Sequence, residues 1–181
     1  MYINFYLLCK LLTPRSLYLR SKQNLVIFLS LALARYEKNK NEELIIKMAL
    51  VHDLPETRTI DLSYMQKIYI KADELKAMKD TFKNTILEDL IDVWKKYEKR
   101  DCIESKIVKD ADNLDVELGL KEYDNQGHKL PKKWSKTSRK IVRIKLYTKS
   151  AKTLWDEIQI SDPDSWHLLS NKYYKFKNPA K

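Results

Sequence analysis

Apolar residues recur at three- and four-residue intervals along nearly the whole chain, the period of helices that bury one face. The pattern predicts five or six helices. The first covers residues 3–12 and ends before Thr13-Pro14, because a proline disfavours the α conformation of the residue before it. After a loop to about Lys22, a strongly apolar helix spans residues 25–36. A third begins near Asn41, read as an N-cap ahead of Glu42 and Glu43, which suit the positive end of a helix. On it Leu44, Ile45, Met48, Ala49 and His52 share a face, and it stops near Leu54-Pro55. A longer stretch over residues 73–98, with room for one break, carries Leu75, Met78, Phe82, Ile86, Leu90, Val93 and Tyr97. Arg100-Asp101 interrupts it. Another stripe, Ile103, Ile107, Ala111, Leu114 and Leu118, runs to about Asp124 and the turn at Asn125-Gln126-Gly127. The last long helix covers residues 138–158 through Ile141, Ile144, Tyr147, Ala151, Leu154 and Ile158, and Ser161-Asp-Pro-Asp164 ends it.

Composition narrows this picture. A chain of 181 residues fits one domain with a real core. Its 2 Gly and 5 Pro are too few for the turns of β-sandwiches or barrels and leave no Gly-rich loop for a nucleotide phosphate. The expected class is all-α, a compact helical bundle over residues 1–160 with a carboxyl-terminal tail, 161–181, packing on or extending from it. Cys9 and Cys102 support neither a disulfide framework nor a metal finger, which points to a reducing compartment. The longest apolar run, residues 25–34, is about half of what a bilayer crossing needs, so it is read as a core helix and no membrane is involved. The amino terminus lacks a basic n-region and a small-residue cleavage site, and a cytoplasmic protein is expected.

Candidate chemistry lies in two clusters. Val51-His52-Asp53-Leu54-Pro55-Glu56-Thr57 places an imidazole and two carboxylates at the end of a buried helix, ligand types for Mn, Co, Fe or Zn. The competing reading of His52 is a hydrogen-bonded core histidine. In Val108-Lys109-Asp110-Ala111-Asp112-Asn113-Leu114-Asp115, Asp110 and Asp115 can turn to solvent, whereas Asp112 lies on the apolar face and needs a cation or hydrogen bonds. A metal shared by His52, Asp53 and Asp112 meets that need; so does an N-cap role or a salt bridge to a lysine. No Gly-x-Ser-x-Gly or Cys/His arrangement offers a covalent nucleophile.

His52-Asp53, Glu56 one turn on, Asp61 after a short loop, Trp94-Lys-Lys-Tyr97-Glu-Lys-Arg100 and Lys109-Asp-Ala-Asp112-Asn-Leu-Asp115 together resemble the HD-domain metal-dependent phosphohydrolases. The closest likeness is to the small 5'-deoxynucleotidase-type branch, over residues 11–127. The resemblance implies an HD-type helical bundle that hydrolyses the phosphomonoester of (deoxy)nucleoside 5'-monophosphates with a divalent cation, Mn, Co, Fe, Zn or Mg. It implies His52, Asp53 and Asp112 as metal ligands and Glu56 as the carboxylate that positions or deprotonates water. Asp61 is implied as a second acidic group of the active site, and Arg15, in Thr13-Pro14-Arg15-Ser16, as the guanidinium that holds the phosphate. A homodimer is a further implication.

One departure stands out. The family carries another histidine ligand at the start of the helix after the arginine loop, and here Gln23 or Asn24 occupies that place, with no histidine before His52. An amide is a weaker donor, so metal affinity is expected to fall roughly 10–100-fold or more. A degenerate HD-domain protein that binds nucleotide or nucleic acid without turnover is the alternative. His128 and His167 are read as exposed and poor replacements.

Charge adds a last feature. The chain has 35 Lys or Arg against 25 Asp or Glu, and ten of the basic residues lie between Lys129 and Lys152, with no acid among them. The +10 is therefore local to this segment, which also carries Trp134 and Tyr147, with Trp155 just beyond. Three readings remain open: a solvated helix face, an electrostatic guide for anionic nucleotides, or a nucleic-acid-binding stripe.

Overall fold

The structure, a computed structural model, describes residues 22–135 and 139–163; the helix expected over residues 3–12, Arg15, Cys9, His167 and most of the expected tail lie outside the described residues. Nine α-helices and no strand occur among the described residues, as the all-α expectation requires: α1 (Lys22–Tyr36), α2 (Glu42–Val51), α3 (Glu56–Thr59), α4 (Glu74–Phe82), α5 (Leu90–Lys99), α6 (Ile103–Asn125), α7 (Lys129–Ser135), α8 (Arg139–Lys145) and α9 (Lys149–Ile160). A single 3-10 turn, Gln66–Ile68, sits in the long connection between α3 and α4.

The longest helix, α6, is the centre of the bundle and packs against α1, α2, α5, α7 and α9. Its interior face carries Ile107, Val108, Ala111 and Leu114, which meet Leu29 and Leu33 of α1, Ile45 and Met48 of α2, Trp94 of α5, and Leu154 and Ile158 of α9 in one continuous core. The turns of α6 from Ile107 to Leu114 thus bury aliphatic side chains, and fully burying a large one such as Ile107 or Leu114 stabilises by about 1.5–3 kcal/mol. The helix ends where the sequence predicts: Gly127 takes φ 86°, and the amides of Gly127 and His128 return to the carbonyls of Asp124 and Tyr123 at 3.0 Å each. That is the Schellman pattern, and glycine adopts its positive φ without steric penalty. Polar pins fix α9 at both ends. Ser150 donates its amide and hydroxyl to Glu37 Oε1 at 3.0 and 2.7 Å, and Lys121 donates to the Gln159 carbonyl at 2.7 Å.

Four details depart from the pattern-based expectations. The 73–98 stretch takes the one break it had room for between Phe82 and Leu90, with Asn84 at φ 62°, but this puts Ile86 outside any helix and fully exposed, while Ile91 and Trp94 fill the core instead. The 138–158 helix is two helices; Ala151, Leu154 and Ile158 are buried as expected, but Ile141 and Ile144 face solvent. Asn41 precedes α2 without capping it through its side chain. Asp110 does not turn to solvent. It is fully buried, and its two carboxylate oxygens accept the amides of Tyr147 and Thr148 at 2.8 Å each and the Thr148 hydroxyl at 2.7 Å. Those bonds produce the break between α8 and α9, for Thr148 is then held in extended conformation as the N-cap of α9, accepting from the Ala151 amide. Burial nonetheless pushes the Asp110 carboxyl pKa up, against the opposing pull of its three donors.

Candidate metal centre

His52 is the residue at which α2 stops. The buried face of that helix, Ile45, Met48 and Ala49, continues one position group further to the imidazole, so the same packing that builds the core carries the ring into it. Its Nδ1 lies 2.7 Å from the Ala49 carbonyl oxygen. A carbonyl only accepts, so Nδ1 carries the hydrogen, and Nε2 is the lone-pair nitrogen of the neutral ring. The edge of Tyr97 on α5 backs the ring at 5.9 Å between centroids, and the Arg100 guanidinium lies 3.4 Å from the Tyr97 ring centre. Burial pushes the Tyr97 phenol far up, so it stays neutral.

Nε2 is fully buried and makes no hydrogen bond, yet it faces two carboxylates: Asp53 Oδ2 at 3.2 Å and Asp112 Oδ1 at 3.9 Å. One ligand-type atom from each of His52, Asp53 and Asp112 lies within 4.8 Å of the others. A lone pair held against two anionic oxygens is repulsive unless a positive species stands between them. Burial pulls the His52 pKa down, but Asp53, the Ala49 carbonyl and Asp112 outweigh it, so the net shift is upward and the site draws positive charge toward Nε2. A divalent cation answers the same need with an imidazole and two carboxylates as donors, the mixture that suits borderline first-row ions. The donor set therefore fits a metal.

Asp112 reaches the cluster from α6, one turn beyond Val108 on the buried face. Its side chain is only 12% exposed, and its second oxygen, Oδ2, accepts from Lys109 Nζ at 2.7 Å. Two sequence-level readings of Asp112 thus hold together: one oxygen serves a lysine salt bridge, the other faces the imidazole.

A family model described as an HD domain matches residues 25–155. The chain belongs to the HD-domain family. Curated relatives from four organisms carry the name 5'-deoxynucleotidase HDDC2. That of Dictyostelium discoideum is 33% identical over 95 residues, 49% of this chain and 50% of that protein, and that of Danio rerio 31% over 101 residues, 52% and 50%. The chain spans about half the length of the curated relatives it matches. Among solved structures, a conserved hypothetical protein from Pyrococcus furiosus superposes with TM-score 0.64 at 26% identity, covering 78% of this chain and 82% of that one. A protein from Pyrococcus horikoshii, at 24% identity and TM-score 0.61 over 77% and 81%, shares the fold.

Within this HD domain the other expected residues stand at varying distance from the cluster. Glu56 opens α3, half-buried, with its amide on the Asp53 carbonyl at 3.0 Å, so it lies one turn from a carboxylate of the cluster. Asp61 sits in the exposed connection after α3 and is not part of the metal-type group. Just before it Ile60 holds φ 67° and ψ 145°, a conformation that strains a β-branched residue. Arg15 and the side chain of Gln23 lie outside the described residues. His128 is exposed, as expected, packing edge-on against Tyr123 at 5.2 Å.

Sequence reasoning missed Glu74, which opens α4. Burial pushes its carboxyl pKa up, as do the nearby carboxylates of Glu98 and Asp53, while Lys67 and Lys109 oppose them. The sequence reads it only as an acid in a first helical turn, and nothing local signals its approach to Asp53. The basic segment is spread over α7, α8 and the start of α9, and part of it is neutralised: Arg143 grips Asp156 with bonds of 2.7 and 2.8 Å, and Lys132 lies 3.9 Å from Asp124. Among the described residues no helix is long and apolar enough to cross a membrane.

Proposed function

We propose that the protein is a divalent-metal-dependent phosphohydrolase that cleaves the phosphomonoester of (deoxy)nucleoside 5'-monophosphates, giving the nucleoside and inorganic phosphate. The observation that carries this reading is the buried His52 Nε2 facing Asp53 and Asp112 oxygens in a chain of the HD-domain family. The names of the curated relatives support the substrate class.

His52, Asp53 and Asp112 would hold the cation. When bound, it supplies Lewis-acid polarisation of the phosphoryl group and an acidified water at neutral pH. The rest belongs to the chain. The Nδ1 bond to the Ala49 carbonyl fixes the ring so that Nε2 stays directed at the two carboxylates. Glu56, one turn from Asp53, orients the attacking water and accepts its proton; as the ester bond breaks the leaving nucleoside oxygen is protonated from solvent, and Glu56 returns its proton to solvent to close the cycle. Arg15 would pair with the substrate phosphate, and Asp61 would serve as a second acidic group of the active site.

The test is phosphate release from a panel of deoxynucleoside and ribonucleoside 5'-monophosphates by purified protein supplied with Mn, Co, Fe, Zn or Mg. Release with at least one metal, abolished by chelator and by Asp112→Asn, is expected. Metal bound by the His52 cluster with no release from any monophosphate would instead identify a binding protein without turnover, the outcome favoured by the amide at Gln23.

A further inference from the structure

We propose that Lys109 is the resident counter-cation of the His52–Asp53–Asp112 cluster, neutralising Asp112 when no metal is bound and weakening the hold on the metal when one is. The inference rests on the metal-binding reading above, and its test separates the two.

The ammonium lies 2.7 Å from Asp112 Oδ2, within charge-assisted hydrogen-bond range, while Oδ1 of the same carboxylate faces His52 Nε2 at 3.9 Å. The lysine and the imidazole therefore address opposite oxygens of one side chain. Lys109 takes Oδ2 and leaves Oδ1 facing Nε2, so a cation can reach Oδ1 without the lysine giving up its bond. It must, however, accept a like charge on the far side of its own ligand. The Lys109 side chain is 36% exposed against 12% for Asp112, so its charge is only partly screened by water. Lys109 also pulls the Glu74 carboxyl pKa down, against the rise that burial, Glu98 and Asp53 impose.

A supporting group around a ligand can act in two ways. It can hold the ligand in place, in which case losing it weakens binding, or it can compete electrostatically, in which case losing it strengthens binding. Geometry favours competition. Asp112 is carried on the buried face of a 23-residue helix between Val108, Ala111 and Leu114, all fully buried, so packing of α6 rather than Lys109 places its carboxylate. What the lysine contributes is charge. Its role is to keep the cluster neutralised in the empty protein and the metal exchangeable in the loaded one.

The experiment is calorimetric titration of Mn(II) or Co(II) into wild-type protein and into Lys109→Met, Lys109→Gln and Lys109→Arg, with thermal melts of each with and without metal. Lys109→Met and Lys109→Gln are expected to bind about 10-fold more tightly, close to 1.4 kcal/mol, with a larger metal-induced rise in Tm and a lower metal-free Tm, whereas Lys109→Arg stays near wild type. Unchanged or weaker binding by both charge-removing variants, beside a wild type that binds, overturns the inference alone. Binding by none of the proteins overturns the metal-site reading and this inference with it. Neither readout depends on turnover.

Discussion

Replacing Asp110 with alanine is expected to destabilise the protein far more than replacing Asp112, two residues along the same helix. Asp110 is fully buried and satisfies three donors, the Tyr147 and Thr148 amides and the Thr148 hydroxyl, all at 2.7–2.8 Å. Alanine leaves both amides without their acceptor, the Thr148 amide buried and the Tyr147 amide half-buried, and a buried unsatisfied donor costs about 1–3 kcal/mol. The hydroxyl can rotate and adds less, while the relieved burial of a charge offsets part of the loss. A net loss of about 2–4 kcal/mol follows, a large fraction of the roughly 5–15 kcal/mol of an ordinary domain, or a fall in Tm of roughly 4–16 °C. Asp110→Asn retains one acceptor oxygen and should cost about 1–3 kcal/mol. Urea unfolding followed by tryptophan fluorescence and far-ultraviolet circular dichroism measures both. Because one of the lost bonds comes from the Thr148 hydroxyl, Thr148→Val should couple to Asp110→Ala in a double-mutant cycle by the worth of that one bond, about 0.5–1.5 kcal/mol. A loss below about 1 kcal/mol for Asp110→Ala refutes the claim that this carboxylate builds the α8–α9 turn.

Three further outcomes follow from the cluster. His52 has a raised pKa in the folded metal-free protein, so its protonated form adds stability that is fully present below the ordinary value of 6.5 and is lost as pH rises through the folded value; Tm of the metal-free protein should fall over that window, and the fall should vanish in His52→Ala. Metal competes with the same proton, so Co(II) affinity measured from pH 5.5 to about 8.5 should climb and level off above the His52 pKa. Glu56→Gln should lower kcat about 100-fold or more while Mn(II) affinity, read by calorimetry, stays within a few-fold of wild type.

Much of this molecule is legible in the chain itself, and the losses have identifiable causes. The His52 face of α2, the stripe from Ile107 to Leu118 on α6 and the stop at Gly127 follow from periodicity and one turn residue, because each is a local rule. The break at Leu146–Thr148 is not local: a carboxylate about 37 residues earlier removes the two amides that would have continued the helix. A Thr at an N-cap position was the available signal, hidden by an apolar period that runs straight across it. The slip at Ile86 has a similar origin, since the stripe continues in number while Asn84 turns the backbone out of helix. At the site, the two motifs named His52, Asp53 and Asp112 together, and their side chains do converge. Glu74 was invisible because its proximity to Asp53 depends on how the α3–α4 connection folds back, and the Lys109 pairing was foreseen only as one of several partners for Asp112.

The central claim is that His52, Asp53 and Asp112 hold one divalent ion. Cobalt(II) titration of metal-free protein, followed by the visible absorption of the bound ion and by elemental analysis after desalting, tests it most directly. One ion per chain is expected, with an imidazole-containing spectrum that disappears in His52→Ala and in Asp112→Asn while both variants remain folded by circular dichroism. A wild-type protein that binds no ion, or binding that survives both substitutions unchanged, contradicts it.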